Sequence, residues 1–283
     1  MPNSINFPKE YLETIDEQLM GQTFAARYQT GGEEFAGNRT VLVPEISFPN
    51  QETPNDYDSF ATKNDIALKY TAYTLPYDKQ EVFQVDAVDD IDTAGLLTVN
   101  AATQYDRTVF APWLDKQFFA DVKAMAGGAQ GTAAALTNSN IKKAFRDLRS
   151  HLRKSGLAGG DVYLSSTAVA ALEDATNREW SNEGTITDSI GRYNDFELFE
   201  DAGGRLPDGI DMLVISGGIQ TVRYVVKRAV TYTFAPGDHT EGDNWLTQIR
   251  RVFGIVGLRN KRPGIYVAGA NAANGSALPY DGE

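Results

Sequence analysis

Cysteine is absent from the 283-residue chain, and histidine occurs only at His151 and His239. Disulfides, thiolate nucleophiles, iron–sulfur clusters and cysteine zinc sites all need a residue the chain lacks, and two histidines cannot build a three-histidine metal site. Carboxylate metal sites stay open. Positive charge is also scarce: 26 Lys and Arg stand against 38 Asp and Glu, a formal net charge of −12. That balance argues against a protein that clamps nucleic acid, which needs clustered cations to release counterions. It suits a surface that must stay soluble at high local concentration, or must not adhere to enclosed nucleic acid. No run of about eighteen apolar residues is available to cross a bilayer. The opening MPNSINFPKEYLETIDEQ has no basic flank followed by an apolar run. The chain is therefore expected to be soluble and cytosolic, where the sequons at Asn38 and Asn274 carry no meaning. What is present is ordinary globular composition, 42% hydrophobic and 23% charged, sufficient for a sizeable core in one large domain or two moderate ones.

The first ninety residues do not read as the start of a compact domain. An amphipathic stretch with Tyr11, Ile15 and Leu19 gives way at Gly31-Gly32 to a short strand, Thr40 to Ile46, which Pro44 is expected to interrupt. A polar excursion from Ser47 to Thr62 follows. Ile66, Leu68, Tyr70 and Ala72 then alternate with Ala67, Lys69, Thr71 and Tyr73, a period of two that predicts a strand. Another extended piece runs from Lys79 to Val88. Together these form a long hairpin-like arm, and an insertion of about forty residues of this kind is usually an interaction element; the alternative is an edge sheet of the main domain. Its aromatics, Tyr57, Phe60, Tyr70, Tyr73 and Tyr77, need cover from either the body of the protein or a partner, because an isolated hairpin is marginal in water.

Helical periodicity takes over after Asp89-Asp90-Ile91-Asp92-Thr93, through Leu97, Ala101, Tyr105, Val109, Trp113, Leu114, Phe118, Val122 and Met125, and stops at Gly127-Gly128. A continuous helix over 93–126 would be about 50 Å long, so the molecule is expected to be flat or elongated. Pro112 is expected to bend or interrupt it. A second helix spans Ser139 to Ser155, with Ile141, Phe145, Leu148 and Leu152 on one stripe. Beyond it the pattern predicts strands at Val162–Leu164, Phe196–Phe199, Met212–Ile215 and Ile265–Val267, and a short helix from Thr167 to Ala175. Two long extended runs, Thr221–Phe234 and Trp245–Leu258, flank a Pro-Gly-Asp turn. The fold class is α+β.

Candidate chemistry is thin. Asp86, Asp89, Asp90 and Asp92 are the densest carboxylate cluster, yet acids before a helix serve its N-terminus through capping and the macrodipole, and no calcium-loop spacing follows. Ser165-Ser166-Thr167 sits at a strand-to-helix junction without the G-x-S-x-G frame, so it reads as a helix cap. His239, with Asp238, Glu241 and Asp243, reads as a solvated turn. Gly127-Gly128-Ala129-Gln130-Gly131 follows a helix and not a strand, so it reads as a linker. Lys142, Arg146, Arg149 and Arg153 share one helix face. That face is either simply solvated or docks on an anionic partner, for which an acidic neighbouring subunit fits the net charge better than DNA.

Several stretches, taken in order, resemble a known family. Tyr105-Asp106-Arg107 through Val109, Pro112, Leu114-Asp115 and Phe118-Phe119 is similar to a proline-interrupted spine helix. Asn140-Ile141-Lys142-Lys143-Ala144 leads into Asp161-Val162-Tyr163-Leu164-Ser165. Ile190-Gly191-Arg192-Tyr193-Asn194-Asp195-Phe196 and Arg250-Arg251-Val252-Phe253-Gly254, with Asn260-Lys261-Arg262-Pro263-Gly264-Ile265-Tyr266, complete the set. The chain resembles the major capsid proteins of tailed bacteriophages, with the Hong Kong 97-type capsid fold. The resemblance implies an N-terminal arm over 1–37, an extended loop over 38–88, a peripheral domain from 89–136 and 221–258, and an axial domain from 137–220 and 259–283. It implies a non-enzymatic structural protein without cofactors that forms hexamers and pentamers of an icosahedral head around double-stranded DNA, in the host cytoplasm and then the virion. Its partners would be copies of itself, a portal protein and in some cases a decoration protein. The arm is too short to hold a fused scaffolding segment, so a separate scaffolding protein is expected. Assembly contacts are expected at Tyr57, Phe60, Lys63, Lys69, Tyr70 and Tyr73 and on the basic face at Lys142, Arg146, Arg149 and Arg153. No acceptor or catalytic acid singles out Lys63, Lys69 or Lys79 for crosslinking. An encapsulin-like shell shares the fold, and a carboxylate-based hydrolase with a lid over 47–78 is the alternative of another class.

Overall fold

The computed structural model describes residues 23–31, 35, 39–47, 67–92, 96–126, 131–181, 187–239 and 242–272. The opening amphipathic stretch, the 48–66 excursion and the Gly127–Gln130 linker lie outside them. A 3-10 turn, Ala25–Tyr28, leads into β1 (Gln29–Thr30). Strands β2 (Thr40–Ser47), β3 (Ala67–Thr74) and β4 (Tyr77–Asp86) follow, then helices α1 (Ala87–Asp92) and α2 (Leu96–Tyr105), a π-helical turn (Asp106–Phe110) and α3 (Ala111–Met125). The second half runs α4 (Ile141–Lys154), β5 (Gly160–Ser165), α5 (Ser166–Thr176), β6 (Ser189–Tyr193), β7 (Phe196–Asp201), β8 (Met212–Ile215), β9 (Val222–Phe234), β10 (Asn244–Gly257) and β11 (Ile265–Ala268).

The strands make a five-stranded sheet in the order β11-β8-β5-β7-β6, a four-stranded sheet in the order β1-β9-β10-β4, and a two-stranded ribbon of β2 and β3. The five-stranded sheet is covered on both faces, and alternation along its strands divides two cores. Tyr163, Phe199, Leu213, Ile215, Ile265 and Val267 face α3 and the 3-10 turn, where they meet Phe24, Tyr28, Phe118 and Phe119. Their neighbours Val162, Leu164, Leu198, Met212, Val214 and Tyr266 face α4 and α5, where all four residues of the predicted stripe, Ile141, Phe145, Leu148 and Leu152, are buried. The helix was expected because its apolar residues recur at offsets of four, seven and eleven, and burial of that stripe is what holds it.

One expectation about proline gives way, and at the other proline the α-helix is interrupted by a π turn. Pro44 does not interrupt β2, because among the described residues β2 has a ladder on one side only, with Pro44 opposite Tyr70, its other side making a single bridge from Val41 to Phe35, and such an edge position tolerates a missing N–H. Pro112 does not break the spine. The chain stays helical from α2 into α3 by widening into the π turn, where the Ala111 N–H donates to Asp106 O, five residues back, and the Thr108 hydroxyl donates to Gln104 O at 2.8 Å. Pro112 then sits in the first turn of α3, where no N–H is required of it. The Arg251 guanidinium on β10 fastens this turn, donating to Asp106 Oδ2 at 2.5 Å and lying 4.2 Å over the Phe110 ring. The extended piece expected from Lys79 to Val88 runs instead from Tyr77 to Asp86. It pairs along its length with β10, so the ribbon proper comprises β2 and β3. The strand β6 over Ser189–Tyr193 went unforeseen as a separate element; Gly191, at φ +136°, interrupts its apolar pattern.

One buried ion pair sits where three segments meet. Asp115 of α3 is wholly buried, accepts the Ala25 N–H at 3.0 Å through Oδ1, and pairs through Oδ2 with Arg205 Nη1 at 2.5 Å. Burial pushes the Asp115 carboxyl above the usual range, opposed by the Ala25 N–H and the Arg205 charge. Asp115→Ala should therefore cost about 3–5 kcal/mol, because it strands the Arg205 charge, whereas Asp115→Leu combined with Arg205→Met should cost far less. Urea unfolding of the three proteins checks this, and equal losses would refute the stranded-charge account.

Burial also raises six phenols, Tyr73 and Tyr105 among them. Tyr224 and Tyr266 are pushed up to about 12, and Tyr28 and Tyr163 are raised as well. An unfolded chain releases such protons near pH 10, so this contribution to stability is complete below about pH 10 and is lost as the pH climbs toward about 12. Alkaline titration should show a late phenolate absorbance step that coincides with loss of circular dichroism. A late step preceding unfolding would contradict the burial.

Candidate functional site

The ribbon presents its faces in an unusual order. Its inner face is short and anchored: Val41 and Tyr73, opposite one another, are 2% and 5% exposed and pack with Leu75, Val225 and Val256. Tyr73 OH donates to Glu45 Oε1 at 3.4 Å and accepts the Arg259 N–H at 3.3 Å. Arg39 pairs with Asp78, which also receives two hydrogen bonds from Arg250, at 3.1 and 2.9 Å. Those cations hold the Asp78 carboxyl below its usual value. The anchor depends on a close approach, since a Cβ on Gly254 of β10 would lie 2.7 Å from Leu75 Cδ2 and 3.0 Å from its Cα. The outer face carries Leu68 and Tyr70, which are 57% and 56% exposed, beside exposed Pro44 and Ala72. A strand pair with its apolar side chains directed away from its own body lacks cover.

Of the residues singled out on the arm, Lys69 and Tyr70 are exposed on the ribbon, while Tyr57, Phe60 and Lys63 lie outside the described residues. Tyr73 is a correction: it is an internal anchor and not a surface group, because alternation turns it inward opposite Val41. Tyr77 is likewise engaged internally, donating to Asp121 Oδ2 at 2.8 Å and stacking on Phe253 at 5.2 Å. Lys79 lies 4.8 Å over the Trp113 ring.

Helix α4 holds the second surface. Its apolar stripe is consumed by the sheet, which leaves Lys142, Arg146 and Arg153 exposed and Arg149 partly so. Arg146, Arg149, Ser150, Arg153 and Lys154 line a shallow groove of about 570 Å³. Three of the four cations that spacing had placed on one face, Arg146, Arg149 and Arg153, line this groove, and Lys142 does not.

The remaining polar clusters have structural occupations. Asp86 Oδ1 accepts the Val88 N–H at 2.9 Å at the start of α1. Ser165 caps α5, accepting the Ala168 N–H at 3.3 Å and donating to Asp211 Oδ1 at 3.2 Å. His151 Nε2 lies 2.9 Å from Pro263 O, and exposed His239 packs edge-on against Phe234 at 5.1 Å. Among the described residues, no three His, Asp or Glu side chains converge as metal ligands, and no helix is long and apolar enough to cross a membrane. Sequence reasoning missed the cluster in which Tyr28 OH donates to Asp161 Oδ2 at 2.8 Å and meets Tyr163 OH at 3.0 Å. Burial raises the Asp161 carboxyl, against the pull of the Tyr28 hydrogen bond and the Arg27 charge. It also passed over Asp115, although an acid among Leu114, Phe118 and Phe119 on an apolar stripe was the available signal.

No family model and no curated protein matches the sequence. Solved structures do. A chain of Mycobacterium phage Che8 superimposes with a TM-score of 0.66 at 19% identity, over 97% of this chain and 100% of that one. The capsid structure of cyanophage P-SCSP1u gives 0.66 at 11% identity, over 93% and 92% of the two chains. The mature capsid of bacteriophage PhiM1 gives 0.64 at 12% identity, over 93% and 91%. The α+β architecture of this chain is thus the phage capsid fold, matched over nearly its whole length.

Leu75→Ala should cost about 2–5 kcal/mol where the ribbon meets the sheet. Limited proteolysis should then cut within residues 39–74 faster, with near-ultraviolet circular dichroism of the core retained. Unchanged cleavage would mean that Leu75 does not anchor the ribbon.

Proposed function

We propose that the chain is a major capsid subunit that self-assembles into hexamers and pentamers of an icosahedral head enclosing double-stranded DNA, and that it is not an enzyme. The observation that carries this reading is the ribbon. In a fold shared over nearly the full length with chains of phage capsids, it holds Leu68 and Tyr70 outward with nothing among the described residues to cover them. A neighbouring copy supplies the missing cover. Overlapping contacts of this kind close rings into a shell, and each can be weak because many engage at once.

On this reading, residues 1–37 are the arm and the β2–β3 ribbon is the reaching part of the 38–88 segment. The four-stranded sheet with the α2–α3 spine is the peripheral domain, and the five-stranded sheet with α4 and α5 is the axial domain. A separate scaffolding protein and a portal would direct assembly in the host cytoplasm, a decoration protein could add to the outside, and packaged DNA would be enclosed without sequence-specific binding.

Gel filtration and negative-stain microscopy of the recombinant chain, with and without a crowding agent, should reveal rings, tubes or shells. Replacing residues 40–74 by a short linker should abolish them while circular dichroism still reports a folded sheet core. A strictly monomeric full-length protein under both conditions would count against the capsid reading. Assembly that survives loss of the ribbon would remove the ribbon from it.

A further inference from the structure

Helix α4 concentrates positive charge that the chain does not neutralise itself. Lys142, Lys143, Arg146, Arg149, Arg153 and Lys154 stand against Asp147 alone. Among the described residues, none of the six takes part in an ion pair. The whole chain carries −12, so everything outside α4 is more acidic still. Identical copies with that charge repel one another. A contact of α4 with α4 across a two-fold axis would set cation against cation. The favourable contact between copies is heterologous, with α4 of one against an acidic surface of the next.

A matching surface lies at the opposite edge of the same sheet. The helix crosses the sheet: its N-terminal half meets the β6 edge, where Phe145 packs on Tyr193 at 4.8 Å, and only its C-terminal half, with Arg149 and Arg153, reaches the β11 edge, where the His151 ring is 5.7 Å from Tyr266. At the β6 edge, Trp180 packs on Tyr193 at 6.2 Å. The last turn of α5 and the link to Trp180 carry Glu173, Asp174 and Glu179 around a second shallow cavity of about 450 Å³, with one cation, Arg178, whose guanidinium lies 5.2 Å over the Trp180 ring. That turn is fixed: Asn177 adopts φ +50°, and the Trp180 N–H donates to Glu173 Oε1 at 2.9 Å. Asp174 and Glu179 are exposed, and among the described residues neither takes part in an ion pair. Arg149 and Arg153 toward one edge and Asp174 and Glu179 at the other are the arrangement of a unit that joins head to tail.

We infer that α4 of one copy, chiefly Arg149 and Arg153, docks on the Asp174–Glu179 turn of the next copy, as a salt-sensitive contact between neighbouring axial units. This rests on the capsid reading above. The guanidinium fork suits two-point pairing with carboxylates, and at rims of this kind charge selects partner and register. A second copy fits better than DNA, because phosphates approaching α4 would also meet the acidic remainder of the chain.

The test is a charge swap in the full chain, assembled with a polyethylene glycol crowding agent and scored by sedimentation and negative stain. Arg149→Glu with Arg153→Glu, and separately Asp174→Lys with Glu179→Lys, should each lower the yield of assembled particles by about tenfold or more. The four changes together should restore it, which misfolded variants could not do. Wild-type yield from either pair, or no rescue by the combination despite unchanged thermal unfolding, would overturn the contact while leaving the capsid reading intact. Particles of the arginine variant that form normally but lose nucleic acid when produced in cells would assign the face to DNA and overturn it as well. Absence of any particle from the wild-type chain would instead sink both readings.

Discussion

The Asp115–Arg205 pair is the constraint around which the two sheets are arranged. Removing both charges from water is costly, and their attraction repays it only with good geometry and with the remaining polar atoms satisfied. Here the second carboxylate oxygen takes the Ala25 N–H, and the loop bearing Arg205 is itself held by Asp201 Oδ2, which accepts the Arg205 and Leu206 N–H groups at 2.6 and 2.7 Å. The Phe24 ring lies 5.4 Å from the guanidinium and stacks among Phe119, Tyr163 and Phe199. The spine helix, the 3-10 turn and the loop after β7 can satisfy these groups in one arrangement only. The pair therefore specifies where the N-terminal segment lies more than it adds stability, and β1 reaches β9 from that fixed point.

Against this determined interior, the surface is unfinished in two ways. The ribbon turns its smaller, anchored side inward and its apolar side out. The basic helix gathers cations that, among the described residues, find no ion-pair partner. Neither suits a solitary protein: exposed apolar strands invite aggregation, and clustered like charges repel. Both become sensible when the missing groups belong to other copies. The apolar cover supplies area, and the charges supply register and discrimination.

Most elements were legible because their period is strong. The α4 stripe, the buried run at β8 and the long β9 and β10 strands each fall within a residue or two of where alternation or helical spacing puts them. The errors share a cause, which is that pairing partners lie far away in sequence. β4 looked like the return strand of an arm because nothing local reveals that β10 pairs with it. Tyr73 looked like a surface aromatic because period two says which residues share a face and not which face is buried. Pro112 marked the place where the spine is interrupted, but the form of the interruption, a π turn, uses a hydrogen-bond offset that composition does not encode. Of the candidate surfaces, the basic face was readable from offsets along one helix. The acidic turn was not, since its relevance comes only from lying across the sheet from α4.

The pairing of β4 with β10 also orders events during synthesis. Residues 77–86 emerge from the ribosome long before residues 244–253, their partners, exist, and β1 must likewise wait for Tyr224 and Val225 of β9. The five-stranded sheet is nearly complete earlier, lacking only β11, so it can begin to condense first while β1 and β4 remain unpaired. Long-range pairings of this kind are slow, and the open strands are vulnerable to association in the interval. The acidic surplus outside α4 then has a second use: it keeps nascent chains apart until the last strands arrive.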